Sequence, residues 1–247
     1  MSTGQPLPGG KLGTFIKTCS HQTVEVLGTA GFSLGVIDAE HAPFDRTSMD
    51  LALLAGRAAG LPLYIRLHDK RPAAVLSALD MGAAGIVAPG VDTADQARQL
   101  VAWARYGKGE RGYSGSPRSA GYGSLAPAEA RALGDRTAVV CQIESVAGLA
   151  NARAIAAVEG VAGLFIGRAD LALSMNEPHA GSDAVLAASA DIENAARKEG
   201  KTVWMYAAAD EWQAFFARGI DVVLVESDQS LMRMAALAIT TSVRRSS

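Results

Sequence analysis

The chain has 247 residues, 49% of them hydrophobic and 19% charged, with a formal net charge of −2. So little net charge gives no electrostatic drive toward nucleic acid or an anionic membrane, and no apolar run nears the roughly 20 residues that span a bilayer. Two cysteines, Cys19 and Cys141, cannot build a disulfide framework. The opening residues Met1 to Gln5 lack the charged-then-apolar pattern of a secretory leader, so the expectation is a soluble protein of the reducing cytoplasm.

Short apolar runs recur eight times, at 12–18, 33–38, 63–67, 85–88, 138–143, 162–166, 202–206 and 221–225. Each is followed by a polar turn and an Ala/Leu-rich stretch with helical spacing. Both faces of the runs are apolar, as in strands buried in a parallel sheet. Gly31, Gly60, Gly82, Gly160, Gly200 and Gly219 stand just before such runs, where a glycine ends a helix and turns the chain into a strand. Eight strand–helix units predict one α/β domain over 1–247, a (β/α)8 barrel, with a doubly wound open sheet as the competing arrangement. The interval 107–135, rich in Gly, Ser, Arg and Tyr, breaks the rhythm and reads as a long loop, either a functional lid or interface element or a mobile insertion. The last segment, 230–239, is apolar on most faces and should close the barrel or pack on another subunit.

The ends of the predicted strands carry the chemistry. Asp38, Glu40 and His41 follow the second strand closely. Asp38 either orients His41 as an acid–base pair or caps the next helix. Arg66 closes the third strand, where its fork suits a carboxylate or enolate, or else makes an ion pair inside the barrel. Lys17 near the first strand exit is a weaker Schiff-base candidate. Asp80, near the end of an apolar helix, reads by itself as a salt-bridge or capping acid. Gln142 and Glu144 close the fifth strand, and Gly167-Arg168-Ala169-Asp170 turns the sixth strand into a helix. Two carboxylates at adjacent strand exits repel unless a cation or proton lies between them, which predicts a divalent-metal site at Glu144 and Asp170. The turn's amides could hold a substrate carboxylate. A Walker A loop, a G-x-G-x-x-G, zinc spacing and a G-x-S-x-G elbow are all absent from the sequence, which disfavours nucleotide, zinc and serine-hydrolase chemistry.

Taken together, GTFIK (13–17), AGFSLGVIDAEHAPFD (30–45), YIRLHD (64–69), LDMGAAGIVAPGVDTADQAR (79–98), QIES (142–145) and VEGVAGLFIGRADL (158–171) resemble the HpcH/HpaI aldolase family over nearly the whole chain. The resemblance implies a TIM barrel with Mg2+, Mn2+ or Co2+ held by Glu144 and Asp170. The implied reaction is reversible cleavage of a 4-hydroxy-2-oxo acid to pyruvate and an aldehyde through a metal-bound enolate. It further implies Arg66 at the enolate oxygen, His41 with Asp38 as acid–base group, Asp80 as an acid near that pair, and Gln142 lining the metal site. Gly167, Ala169 and Asp170 would hold the substrate carboxylate, and Tyr206 would contact the aldehyde. The implied assembly is a homohexamer, a dimer of trimers that exchanges the C-terminal helix. An alternative within the same chemistry is an enzyme resembling a citrate synthase or a citryl- or malyl-CoA lyase. The chain departs from the family's habit with Arg168 for a proline, Trp204-Met205-Tyr206 near strand seven, and Val225-Glu226-Ser227-Asp228 near strand eight, where a glycine tends to precede the last aspartate stretch.

Overall fold

A computed structural model describes residues 10–246; the Met1–Gln5 stretch read above lies outside them. Eight parallel strands close into a barrel in sequence order, β8 pairing back to β1. They are β1 (Lys11–Ile16), β2 (Leu34–Asp38), β3 (Leu63–Arg66), β4 (Gly85–Ala88), β5 (Ala138–Ile143), β6 (Val161–Ile166), β7 (Thr202–Ala207) and β8 (Val222–Ser227). The surrounding helices are α1 (His21–Thr29), α2 (Arg46–Ala58), α3 (Pro72–Asp80), α4 (Ala94–Ala104), α5 (Pro127–Gly134), α6 (Val146–Ala156), α7 (Arg168–Ser174), α8 (Asp183–Lys198), α9 (Trp212–Ala217) and α10 (Asp228–Ser246). The predicted (β/α)8 architecture is therefore the observed one, and none of the described helices is long and apolar enough to cross a membrane.

Local chemistry sets the boundaries. The side chains of Ser20, Asp45, Thr93 and Ser145 accept a hydrogen bond from the amide three residues on, starting α1, α2, α4 and α6. The glycines expected to end helices all have positive φ, from +65° at Gly200 to +92° at Gly31, a region closed to most side chains.

The barrel interior is filled by Phe15, Leu34, Val36, Val87, Val140, Phe165, Trp204, Val222 and Leu224, with Tyr64 packed against them. Tyr64 meets Trp204 edge-on, ring centroids 4.9 Å apart. Side chains two apart in a strand share a face. The residues two beyond this layer therefore also point inward, at the open end: Lys17 after Phe15, Asp38 after Val36, Arg66 after Tyr64, Gln142 after Val140 and Tyr206 after Trp204. The site is the polar top layer of an otherwise apolar core.

Pairing between β1 and β8 is irregular at one point. Gly13 faces Leu224 but Phe15 faces Ser227, so β8 carries an extra residue, a bulge around Glu226. The 107–135 interval, expected as a loop throughout, instead contains a 3-10 turn (Arg118–Gly123) and α5. Arg118 organises it: its buried guanidinium binds Asp50 and the carbonyl of Met81 at 2.7 Å. α10 starts against β1 and β8 at Asp228, whose carboxylate accepts the amides of Lys17 and Thr18, both at 2.9 Å. Beyond that turn Met232, Met234, Leu237 and Ile239 are exposed.

Candidate active site

A cavity of about 450 Å³ opens at the carboxyl ends of the strands, where barrels of this kind bind ligands. Its walls include Lys17, Arg66, Gln142, Gly167, Asp170, Tyr206 and Glu226. Arg66 and Asp38 face each other across the β2–β3 register. Arg66 grips Asp38 with two parallel hydrogen bonds, Nε to Oδ1 at 3.0 Å and Nη2 to Oδ2 at 2.8 Å. Lys17 adds a second cation, 3.2 Å from Asp38 Oδ2. Burial pushes the Asp38 carboxyl up, but the hydrogen bond and charge of Arg66, the His41 amide and the Lys17 charge outweigh it and hold the group below the ordinary aspartate range. Arg66 also stacks 4.6 Å over the Phe15 ring and lies 3.4 Å from Glu40. Its orientation is fixed before any ligand arrives.

Two sequence expectations meet a different geometry. Asp38 touches His41 through the backbone amide at 3.1 Å rather than through the ring. The reason is competition: two cations already claim the Asp38 oxygens, and His41 sits three residues into the following turn. Its half-exposed ring lies 3.6 Å from Glu40. Asp80 is not near this group within the chain. As the last residue of α3 it lies outside the strand ring, toward the end where β4 begins, and pairs with the fully buried side chain of Arg111 at 2.9 Å.

Glu144 lies just past β5, and no cation pairs with it among the described residues. It accepts the Gly90 amide at 2.6 Å and a short hydrogen bond from the Gln142 amide group. Gly90 can present that amide because it adopts φ +57°. Gly167 gives Glu144 its space: a Cβ there would stand 2.8 Å from Glu144 Cβ and Oε2. Burial pushes the Glu144 carboxyl up and the charges of Asp170 and Glu40 add to it, against the opposing Gln142 and Gly90 hydrogen bonds. Asp170, in the first turn of α7, lines the cavity and is exposed. The Gln142 Oε1 atom is buried with no hydrogen-bond partner. Two uncompensated carboxylates beside an orphaned amide oxygen form an all-oxygen donor set, which suits a hard divalent ion. Among the described residues no group of three or more His, Cys, Asp or Glu side chains gathers as a ready-made metal cage, so Glu144 and Asp170 would leave most of an ion's coordination to water and substrate.

Arg168 reaches back over the Phe215 ring at 4.9 Å and binds Glu211 and the Tyr206 carbonyl, each at 3.2 Å. Sequence reasoning passed over Glu40, although it stands inside the Asp38–His41 run. It gave Lys17 little weight, although Lys17 lies two residues beyond an inward Phe15. It noted Glu226 only as a departure.

A parallel eight-stranded barrel with carboxylates and an arginine at its carboxyl-terminal mouth has the architecture of an enzyme that acts on a small molecule. The sequence pattern of the HpcH/HpaI aldolase/citrate lyase family matches residues 11–236, and the chain belongs to that family. It is 33% identical over 238 residues to a 5-keto-4-deoxy-D-glucarate aldolase of Klebsiella pneumoniae subsp. pneumoniae, covering 95% of this chain and 93% of that one. A crystal structure of an HpcH/HpaI aldolase/citrate lyase family protein from Burkholderia cenocepacia superposes with a TM-score of 0.90 at 30% identity, covering 95% of each chain. The citrate synthase SbnG shares the fold, with a TM-score of 0.86 at 24% identity, covering 96% of this chain and 94% of that one. The chain is thus an enzyme of an aldolase and lyase family.

Proposed function

We propose that this protein is a divalent-metal-dependent aldolase that reversibly cleaves a 4-hydroxy-2-oxo acid to pyruvate and an aldehyde. The observation that carries the reading is Glu144 and Asp170, two carboxylates that no cation pairs among the described residues: Glu144 is hydrogen-bonded to the Gln142 side chain with its orphaned oxygen, and Gln142, Asp170 and Arg66 line one cavity. Cleavage breaks the C3–C4 bond. Its electron pair moves toward C3 and delocalises onto the 2-oxo oxygen, while the C4 hydroxyl loses its proton and becomes the aldehyde carbonyl. A divalent ion such as Mg2+, Mn2+ or Co2+, held by Glu144 and Asp170, would supply Lewis-acid stabilisation of the charge that builds on that oxygen.

The remaining steps belong to the chain. Arg66, locked by Asp38, aims a fixed positive charge into the cavity and so stabilises an oxyanion without reorganising. A helix leaves its first-turn amides without internal partners, so those of Ala169 and Asp170 are available to a substrate carboxylate. Gln142 fills the space between Glu144 and the barrel core and fixes the carboxylate's orientation. His41, half-exposed beside Glu40, takes the carbinol proton directly or through a water. In this reading the exposed apolar residues of α10 pack on further copies of the chain in a homo-oligomer, which takes them out of water.

The test is exchange of pyruvate methyl protons with solvent, followed by NMR without any aldehyde. Exchange should vanish in excess EDTA and return with Mg2+, Mn2+ or Co2+. Full exchange in EDTA sinks the proposal.

A further inference from the structure

Glu226 departs from its surroundings in three ways. Its backbone sits at φ +56°, in the left-handed region that favours glycine. It occupies the bulge where β8 slips against β1, and bulges re-aim side chains next to active sites. Its carboxylate lines the cavity, where Tyr206 Oη donates to Oε2 at 3.2 Å and the Ala209 amide to Oε1 at 3.2 Å. A long acidic side chain in a glycine's conformation is retained where the chain gains from that carboxylate's position.

The charges around it sharpen the point. The three cations of the cavity wall are already engaged: Lys17 by Asp38, Arg66 by Asp38 and Glu40, Arg168 by Glu211. Among the described residues no cation pairs with Glu226, which leaves its negative charge facing the cavity. Burial and the adjacent carboxylate push the Tyr206 phenol up to about 12, so it stays a neutral donor and acceptor at working pH. Gln142 and Asp170 share the cavity with Tyr206, Glu226 and Ser230. With the 2-oxo acid end placed at Gln142 and Asp170, the Tyr206 and Glu226 side of the wall is left for the aldehyde end.

We propose that the Tyr206–Glu226 wall selects the aldehyde, accepting hydrogen bonds from an uncharged hydroxyaldehyde and repelling one that carries its own carboxylate. The inference rests on the proposed aldolase reading and adds the substrate class. It sets this chain apart from an enzyme acting on a dicarboxylic sugar acid, whose aldehyde fragment keeps a carboxylate.

The test compares kcat/KM for addition of pyruvate to D-glyceraldehyde and to succinic semialdehyde, in the metal-loaded wild type and in Glu226→Gln. A ratio within one protein cancels any general loss of activity. Wild type should favour glyceraldehyde by about tenfold or more, and Glu226→Gln should move the ratio about tenfold toward succinic semialdehyde, as removal of a like charge requires. Should that variant fold poorly, Glu226→Gly, which suits the left-handed backbone, carries the same test. Wild-type preference for succinic semialdehyde overturns the inference, as does a variant ratio within about twofold of wild type. Pyruvate proton exchange in the wild type, with no aldehyde present, tests the aldolase reading separately. Its absence defeats that reading, whereas exchange with an unmoved ratio defeats only this one.

Discussion

Asp38 and Glu144 stand at the exits of β2 and β5, on the same rim of the same barrel, and their surroundings are opposite. Asp38 is fully buried yet held by Arg66 and Lys17, which keep it ionised. Glu144 is less buried, receives only neutral hydrogen bonds, and feels the charges of Asp170 and Glu40. One carboxylate is finished by the chain itself; the other is left electrostatically incomplete. The contrast separates a group that organises the site from a group that waits for a ligand, because an uncompensated charge is stabilised only by what binds to it.

The sharpest way to break that contrast is to remove the finished carboxylate. Asp38→Asn leaves Lys17 without its carboxylate and the buried Arg66 guanidinium with Glu40 alone, 3.4 Å away, in place of a two-point grip. Breaking one side of a buried pair costs about 3–5 kcal/mol, which for a chain of this size lowers Tm by roughly 6–20 °C. A melting shift under about 2 °C would show that Asp38 is not the anchor argued here. Glu144→Gln should behave in the opposite sense. The metal-free variant should melt within about 2 °C of wild type or above it, since a desolvated charge has been taken away. It should lose the rise that a divalent ion gives the wild type, roughly 5–11 °C at about a hundred times Kd. Pyruvate proton exchange should drop at least about 100-fold in the same variant. An ion-induced rise that survives Glu144→Gln places the metal elsewhere.

The same contrast explains what could be read from the sequence. Strands were legible because short runs apolar on both faces and C-terminal helix glycines are local signals, and the eight runs match the eight strands within one or two residues. Arg66 was legible from its place at a strand exit, and Gln142 and Tyr206 through the family resemblance; in the structure alternation brings all three into the mouth. Lys17 obeyed the same alternation and was given little weight because no apolar pocket signal follows its strand. The partner of Asp38 was not legible: His41 is near in sequence, but Arg66 is opposite in the sheet, and register decides contact. Asp80 failed as a neighbour of that pair for a related reason, since a helix end lies across the barrel from the exit of the preceding strand. Glu226 stands two residues beyond inward Leu224, so alternation aims it into the mouth as well; what was hidden is the bulge and the positive φ that set its position. No periodicity in the sequence announces a residue in a glycine's conformation.

The smallest effect is the most direct comparison of the two groups, because their pKa shifts have opposite signs. The Glu144 carboxyl is raised in the folded chain, so the stability it allows is complete below the ordinary glutamate range and declines as pH rises through its folded value. The Asp38 carboxyl is lowered, so its contribution is complete above the ordinary aspartate range and is lost only as pH falls below it. Above the ordinary glutamate range the first group titrates and the second does not. Metal-free wild type should therefore lose Tm relative to Glu144→Gln as pH rises from the ordinary glutamate range, and a divalent ion should reverse the trend because it binds only the ionised carboxylate. A difference between the two proteins that stays flat with pH, with ion affinity equally flat, would mean that Glu144 is already compensated, and the asymmetry between the two strand exits would not exist.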